Sequence, residues 1–545
     1  MLFMVPVLVL LAAGARPSRG TAAVPVSVFH VDNQNPVASD ANPGTAALPL
    51  RTIGRAVHLA AGANRNGAPV TVLIHPGTYR EAVSLPDGGT PAAMTFQATE
   101  AGKAVISGAD IWTGWQRSGT AFTHAWPYTW GPVPVPRGWP ALQDIVRRRE
   151  MVFVNGQLLR QVLPPTPLTP GTFLVDEAGR TISLLPGGGV DPNTAAVEVA
   201  VRLTLFAASG RANLTVSGLV FEHAATPLDD SAVFFDQMTN LLVHDTVFRW
   251  NNWGGLGVYK STNVTALRNT ANYNGGRGME AAQVTSLRYD RNETSSNNWR
   301  GAWGGFYDWA MAGIKVLLIH GGTISHHRAV FNQAHGLWLD TDNQNVTISD
   351  GFLCGNLLNG AFIEASQGPT AILRTVACGN GKRGVFTTES SSLTLQDSAL
   401  YGNGKGQFEV GGESSRTVTN WETGAVMAVR AEHLTLCGNA IASSGGGQDV
   451  LAIPGWDFVL TTLRSRRNDW WNPYNAAPFF FDWSDHFGLA GWRRTSGQDT
   501  DSVYADPRFT DAHGWNFTPR PGSPWRECAG ATPQPPPPSE PSGNK

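Results

Sequence analysis

The chain has 545 residues, and its 40 Lys and Arg nearly balance 42 Asp and Glu, for a net charge of −2. No basic run or stripe interrupts that balance, which excludes a nucleic-acid-binding surface. Charged residues make up only 15% and Gly numbers 61, the composition of a turn-rich β protein. Such a chain departs from the three or four average domains that its length alone suggests.

The run MLFMVPVLVLLAAGA opens the chain, an apolar stretch followed by small residues. It predicts a secretory signal over residues 1–23, cut after Ala15 or Ala23. The run is too short for a membrane span, so the expected location is secreted or periplasmic. Further on, Ile53, Ala56, Val57 and Ala60 fall at helical spacing and predict an amphipathic helix from about Thr52 to Ala61.

From Asn213 onward one form recurs: an alternating apolar strand, a short turn, a second strand and a Gly-Asn corner. It appears as NLTVSGLVFEHA (from Asn213), NLLVHDTVFRWN (Asn240), NVTALRNTANYN (Asn263), NVTISDGFLCGN (Asn345), TAILRTVACGN (Thr370), LTLQDSALYGN (Leu393) and LTLCGNA (Leu434). The corner residues Asn356, Asn380 and Asn403 lie 24 and 23 apart. A fixed period in this range marks a solenoid, and alternating strands with Gly and Asn corners specify a parallel β-helix.

A second strand type aligns on its glycine: GIKVL from Gly313, GLWLD from Gly336, GAFIE from Gly360 and GVFTT from Gly384. Side chains alternate faces along a strand. Leu337, Leu339, Ala361, Ile363, Val385 and Thr387 therefore point inward. Lys315, Trp338, Phe362, Phe386, Asp340, Glu364 and Thr388 share the outer face. Asp340 and Glu364 thus stack in one column on adjacent coils, with carboxyls expected about 5 Å apart, the separation of retaining glycosidases (about 5–5.5 Å) rather than inverting ones. Stacked polar residues on a β-helix exterior often only cap turns, but a ladder built for stability avoids like charges. The pair beside Trp338 and Phe362 reads as catalytic.

Around it stand candidate substrate-binding residues. Lys315 lies one coil before Asp340, and Asp342 lies two residues beyond it; the bland reading of Asp342 is an Asx cap. The segment from Ser295 to Gly313 interrupts the repeat, and such loops usually lie on the binding face of a solenoid. It offers Trp299, Arg300, Trp303, Tyr307, Asp308 and Trp309, or else it is a hydrophobic plug. His335 is a further candidate, as are His326 and His327. The four Cys follow no metal-ligand spacing. Cys354 and Cys378, 24 apart, stack either as a disulfide or as two packed thiols. The chain ends on PQPPPPSEPSGNK, a Pro-rich segment expected to be disordered.

The segments WLDTDNQNVTI and FIEASQGP resemble the parallel β-helix glycoside hydrolases of the β-xylosidase type, glycoside hydrolase family 120. The resemblance implies Asp340 as nucleophile and Glu364 as acid/base, without a cofactor. It extends to VDNQNPVASDANPGTAALPLRTIGRAV, PGTYRE and ISGAD, which are similar to an N-terminal cap. RREMVFVNGQLLRQV and LTPGTFLVDE resemble an inserted β-sandwich, and DTDSVYADPRF resembles a closing segment. The expected architecture is all-β: a cap and first coils at 24–107, a β-sandwich-like insertion at 108–200, right-handed parallel β-helix coils and closure at 201–527, and the tail at 528–545. The expected function is that of a retaining glycosidase on oligo- or polysaccharide. Two alternatives stand beside it. One is a polysaccharide lyase with Lys315 as base and Ca2+ on Asp340, Asp342 and Glu364. The other is a non-catalytic carbohydrate-binding protein on the same scaffold.

Overall fold

The structure, a computed structural model, describes residues 27–88 and 90–528. The expected signal segment and the Pro-rich tail beyond Cys528 lie outside the described residues. No described helix is long and apolar enough to cross a membrane.

The chain winds as a parallel β-helix with three strands per coil. In one coil these are His335–Asp340, Gln344–Ser349 and Phe352–Cys354; in the next they are Ala361–Glu364, Thr370–Leu373 and Val376–Cys378. Each strand pairs in parallel with its counterpart one coil on, as in Leu337 with Ala361, Ile348 with Ile372 and Cys354 with Cys378. The wall that matters for function is built from β1 (Gly254–Leu267), β2 (Met279–Asp290), β3 (Ala312–Ser325), β4 (His335–Asp340), β5 (Ala361–Glu364), β6 (Arg383–Thr388) and β7 (Gly406–Gly411). The first three are long and turn a corner, so they contribute to the second wall as well.

The alternation in the sequence sets the interior. Leu337, Leu339, Ala361, Ile363, Val385 and Thr387 are all fully buried. At the corner preceding this wall runs a ladder of buried asparagines: Asn251, Asn274, Asn297, Asn332, Asn356, Asn380 and Asn403. Each Nδ2 donates to the next Oδ1 at 2.8–3.1 Å. Each also donates to a backbone carbonyl, as Asn356 does to Ala329 at 3.0 Å. Both N–H groups of each ladder amide are thereby satisfied, the condition for a polar group to be tolerated in a core. The ladder also explains the glycine that opens each strand. A Cβ on Gly336 would lie 2.7 Å from Asn356 Nδ2, and one on Gly360 would lie 2.7 Å from the Gly384 carbonyl.

The first coils are closed by α1 (Ile53–Arg65). Its Thr52 cap accepts from the Arg55 N–H, and its face Ile53, Ala56, Val57 and Ala60 is buried against the solenoid interior. Between the coil strands Ala104–Ser107 and Phe206–Ser209 the chain leaves the helix. Its strands there form two small sheets that share one core, including Trp115, Trp126, Val152, Phe173, Ile182 and Val197. Cys354 pairs with Cys378 across one coil step of the third wall (Cα–Cα 4.5 Å), and Cys437, at the end of a second-wall strand (Thr435–Cys437), pairs with Cys528 of the closing segment. The structure thus takes the disulfide reading for the first two.

Candidate active site

The carboxyl column lies on the outer face of the wall. In register, Lys315 of β3 neighbours Trp338 of β4, Trp338 neighbours Phe362 of β5, and Phe362 neighbours Phe386 of β6. Two residues along each strand, the parallel column runs Leu317, Asp340, Glu364, Thr388 and Gly411. Local alternation and coil stacking are enough to bring Asp340 and Glu364 together.

Each carboxylate has its own cation. Lys315 Nζ lies 2.9 Å from Asp340 Oδ2, and the Thr341 hydroxyl donates to Oδ1 at 2.8 Å. Glu364 Oε1 accepts from the Arg416 guanidinium, and Oε2 accepts from the Trp338 indole N–H at 3.1 Å. The two acid side chains are 18% and 17% exposed, so they sit in a recess that still opens to solvent. Burial, then the negative charge of Asp340, push the Glu364 carboxyl above its ordinary range, while Arg416 and Lys315 pull it the other way.

The aromatic residues line the floor differently from open sugar platforms. Trp338 and Phe362 have ring centres 5.0 Å apart, and Phe362 and Phe386 lie stacked at 5.1 Å. Lys315 Nζ covers the Trp338 ring at 4.2 Å. Their faces are spent on one another and on the cation, so Trp338 and Phe362 are only 5% and 9% exposed and offer edges to the recess. His335 continues this floor, packed at 5.1 Å from Trp338 and 5.2 Å from Phe362. Asn359 Nδ2 donates to its Nδ1 at 3.1 Å, which assigns the proton to Nε2, the atom 3.0 Å from Asp308 Oδ1. Burial pushes the His335 pKa down, so a neutral ring holds Asp308, whose other oxygen meets Lys382 Nζ at 3.3 Å. Asp308 is exposed beside this floor.

Three expected contacts are corrected. Arg300 is fully buried where the inserted domain meets the coils, donating to Asn252 Oδ1 (2.8 Å), Gln161 Oε1 (2.8 Å) and the Glu150 carbonyl (2.6 Å). Trp303, at the end of the short helix α2 (Trp299–Trp303), stacks on that guanidinium at 4.7 Å and belongs to the same junction. Neither reaches the carboxyl column, so this part of the loop is the plug rather than the binding face. Asp342 is also fully buried. It accepts from the Trp421 backbone N–H (2.8 Å), Gln367 Nε2 (2.7 Å) and Gln344 Nε2 (3.2 Å). Its oxygens are engaged away from Asp340 and Glu364, so the three carboxylates of the calcium alternative do not converge. His326 pairs with Asp290, and His327 is buried against Thr294, away from this recess.

The residues that the sequence reading missed come from a hairpin, β8 (Arg416–Thr419) and β9 (Val426–Val429), inserted after β7. Val418 and Val429 pack on Ala365. The tip docks three and four coils back from β7, where Asp342 receives Trp421 and His320 pairs with Glu422. The hairpin walls the recess and delivers Arg416. Its signal was present in the spacing: LTLQ and LTLC stand 41 residues apart, against 24 and 23 for the two coil steps just before (Thr347 to Ala371 to Thr394). On the other side, register places Glu280 beside Lys315, with Tyr259 and Arg277 bonded to its carboxylate.

Residues 231–421 match the family described as the right-handed beta helix region. Among curated proteins, none matches the sequence. Among solved structures, the chain is similar to one described as the complex of XylC with xylose (16% identity, TM-score 0.67, covering 89% of this chain and 87% of that one). It is also similar to one described as a glycoside hydrolase (12% identity, TM-score 0.51, 70% and 94% covered). The A-module of the Azotobacter vinelandii mannuronan C-5 epimerase AlgE6 is a further match (14% identity, TM-score 0.49, 83% and 95% covered). At these identities the likeness shows the fold, a right-handed parallel β-helix.

Proposed function

We propose that the protein is a retaining glycoside hydrolase of the β-xylosidase type, acting outside the cytoplasm on glycosides derived from polysaccharides. The observation that carries the reading is one column holding Asp340 and Glu364 on consecutive coils, each with its own cation. The resemblance of WLDTDN and FIEASQGP to that family assigns the roles, and the xylose in the complex named above supports a pentose as the first sugar to test. The two disulfides fit an oxidising compartment.

In the first step Glu364, protonated, gives its proton to the glycosidic oxygen. Asp340 attacks the anomeric carbon as the carbon–oxygen bond breaks, leaving a glycosyl ester on Asp340 and the free alcohol. In the second step Glu364 takes a proton from water, the hydroxide adds to the anomeric carbon, and the ester breaks. Lys315 and Thr341 hold Asp340 in place, and the apolar floor of Trp338, Phe362 and Phe386 keeps Glu364 protonated at higher pH than a solvated acid.

The test is a screen of aryl xyloside, fucoside, arabinoside and galactoside, with the anomer of the first product read by proton NMR and with azide added to Asp340→Gly. Retention, together with azide rescue, supports the reading. Inversion, or an unsaturated product absorbing in the ultraviolet from a uronate polymer, overturns it.

A further inference from the structure

We infer that Arg416 selects the leaving group, and that the leaving group it selects carries an anion: a carboxylate- or sulfate-bearing sugar lying beyond Glu364 on the side away from Asp340. The inference rests on the glycosidase reading and deepens it.

Position comes first. Along the coils the order is Lys315, Asp340, Glu364, and Arg416 reaches Glu364 from the hairpin. The sugar under attack sits at Asp340 and the departing oxygen at Glu364, so Arg416 flanks the departing half. Past Glu364 the column continues with Thr388 and Gly411.

Charge accounting comes second. Of the other cations on this face, Lys315 is held by Asp340, Lys382 by Asp308, Arg383 and Lys405 by Glu409, and Arg277 by Glu280 and Asp229. None of those acids is the proton donor of the proposed reaction. Arg416 alone is paired with the group that must be neutral when the substrate binds. Once Glu364 carries its proton, the guanidinium loses its counter-ion. Two further acids act on Arg416: Asp340, which Lys315 already holds, and Glu389, which is 4% exposed and accepts from the Glu413 N–H. A neutral substrate leaves that cation unpaired beside the departing group, whereas an anionic one replaces the carboxylate that the reaction withdraws.

Independence comes third. The hairpin is docked by Asp342, His320 and the Ala365 contact, none of which involves Arg416. Its side chain remains 43% exposed at the recess. It is therefore placed to meet a ligand and is not needed to hold the hairpin down.

The experiment uses the full chain and disaccharides that share the cleaved sugar and differ only in the leaving sugar: neutral, carboxylated or sulfated. The wild type is expected to favour at least one acidic member by about tenfold in kcat/KM. Arg416→Gln should erase that preference, read as the ratio of kcat/KM for the acidic and neutral disaccharides within each enzyme at its own pH optimum, and Arg416→Lys should restore part of it. In parallel, Glu364→Gln should bind glucuronate or a sugar sulfate more tightly than glucose, and Glu364→Gln with Arg416→Gln should not. The acid that binds identifies the source of the anion. Equal turnover of neutral and acidic disaccharides by the wild type overturns the inference while leaving the glycosidase reading intact. So does a parallel loss of both in Arg416→Gln. Turnover of no glycoside at all defeats that reading first, and this inference with it.

Discussion

Lys315 Nζ lies 2.9 Å from Asp340 Oδ2 and 4.2 Å from the centre of the Trp338 ring. One ammonium therefore spans the Asp340 carboxylate and the indole whose N–H donates to Glu364, tying the two acids into one arrangement through the floor of the recess.

Replacing Lys315 by Met keeps the stem against Trp338 and removes the charge. Asp340 then retains only the Thr341 hydroxyl. The expected outcome is a fall in kcat/KM of about 10²-fold, the usual cost of deleting one preorganised electrostatic partner, with the circular dichroism spectrum unchanged. An activity within a factor of two of wild type would show that the pair is idle in catalysis.

Glu364 should titrate above the ordinary carboxylate range, because burial and Asp340 outweigh Arg416 and Lys315. Removing a neighbouring negative charge favours the ionised form, so Asp340→Asn should lower the Glu364 pKa. Removing a neighbouring positive charge does the reverse, so Arg416→Gln should raise it. Carbon-13 NMR of labelled glutamate reads both directions without catalysis. In the active enzyme the alkaline limb of kcat/KM should move upward in Arg416→Gln.

Asp342→Ala should release the hairpin tip by removing the acceptor of the Trp421 N–H and a buried partner of His320. The expected signs are faster hydrogen exchange at the Trp421 amide and new proteolytic cleavage between Gly412 and Arg430. The loss of local stability should be about 1–3 kcal/mol, the cost of leaving buried partners unpaired. Protection equal to wild type would mean that the hairpin is held elsewhere.

Asn356→Ala breaks the ladder at its middle. It leaves the Asn332 N–H and Nδ2 without their acceptor and frees one lone pair on Asn380. Urea unfolding should show about 2–4 kcal/mol of destabilisation. A similar change at the exposed Asn240, which bonds Asn213 at the surface, should cost well under half as much.

The parallel coils, the inward set from Leu337 to Thr387 and the stacking of Asp340 on Glu364 were all legible in the sequence. The reason is local. In a solenoid, a hydrogen-bonded strand meets its own counterpart 23 or 24 residues later, so register along the chain becomes register in space. Asp342 shows where that logic stops. Its place two residues beyond Asp340 makes it a candidate substrate contact, but the residue that claims it, Trp421, lies 79 positions away. Arg300, in a loop rich in aromatics, looks like a sugar ligand until Gln161, 139 positions distant, takes its guanidinium into a domain junction. Arg416 reaches Glu364 across 52 positions, from a hairpin visible in the sequence only as an overlong repeat. Periodicity determined which side chains share a face, because neighbouring coils repeat the same short-range contacts. Which of those side chains stay open to a substrate was decided by insertions folding back over the wall, and nothing in a local repeat specifies where such a segment lands.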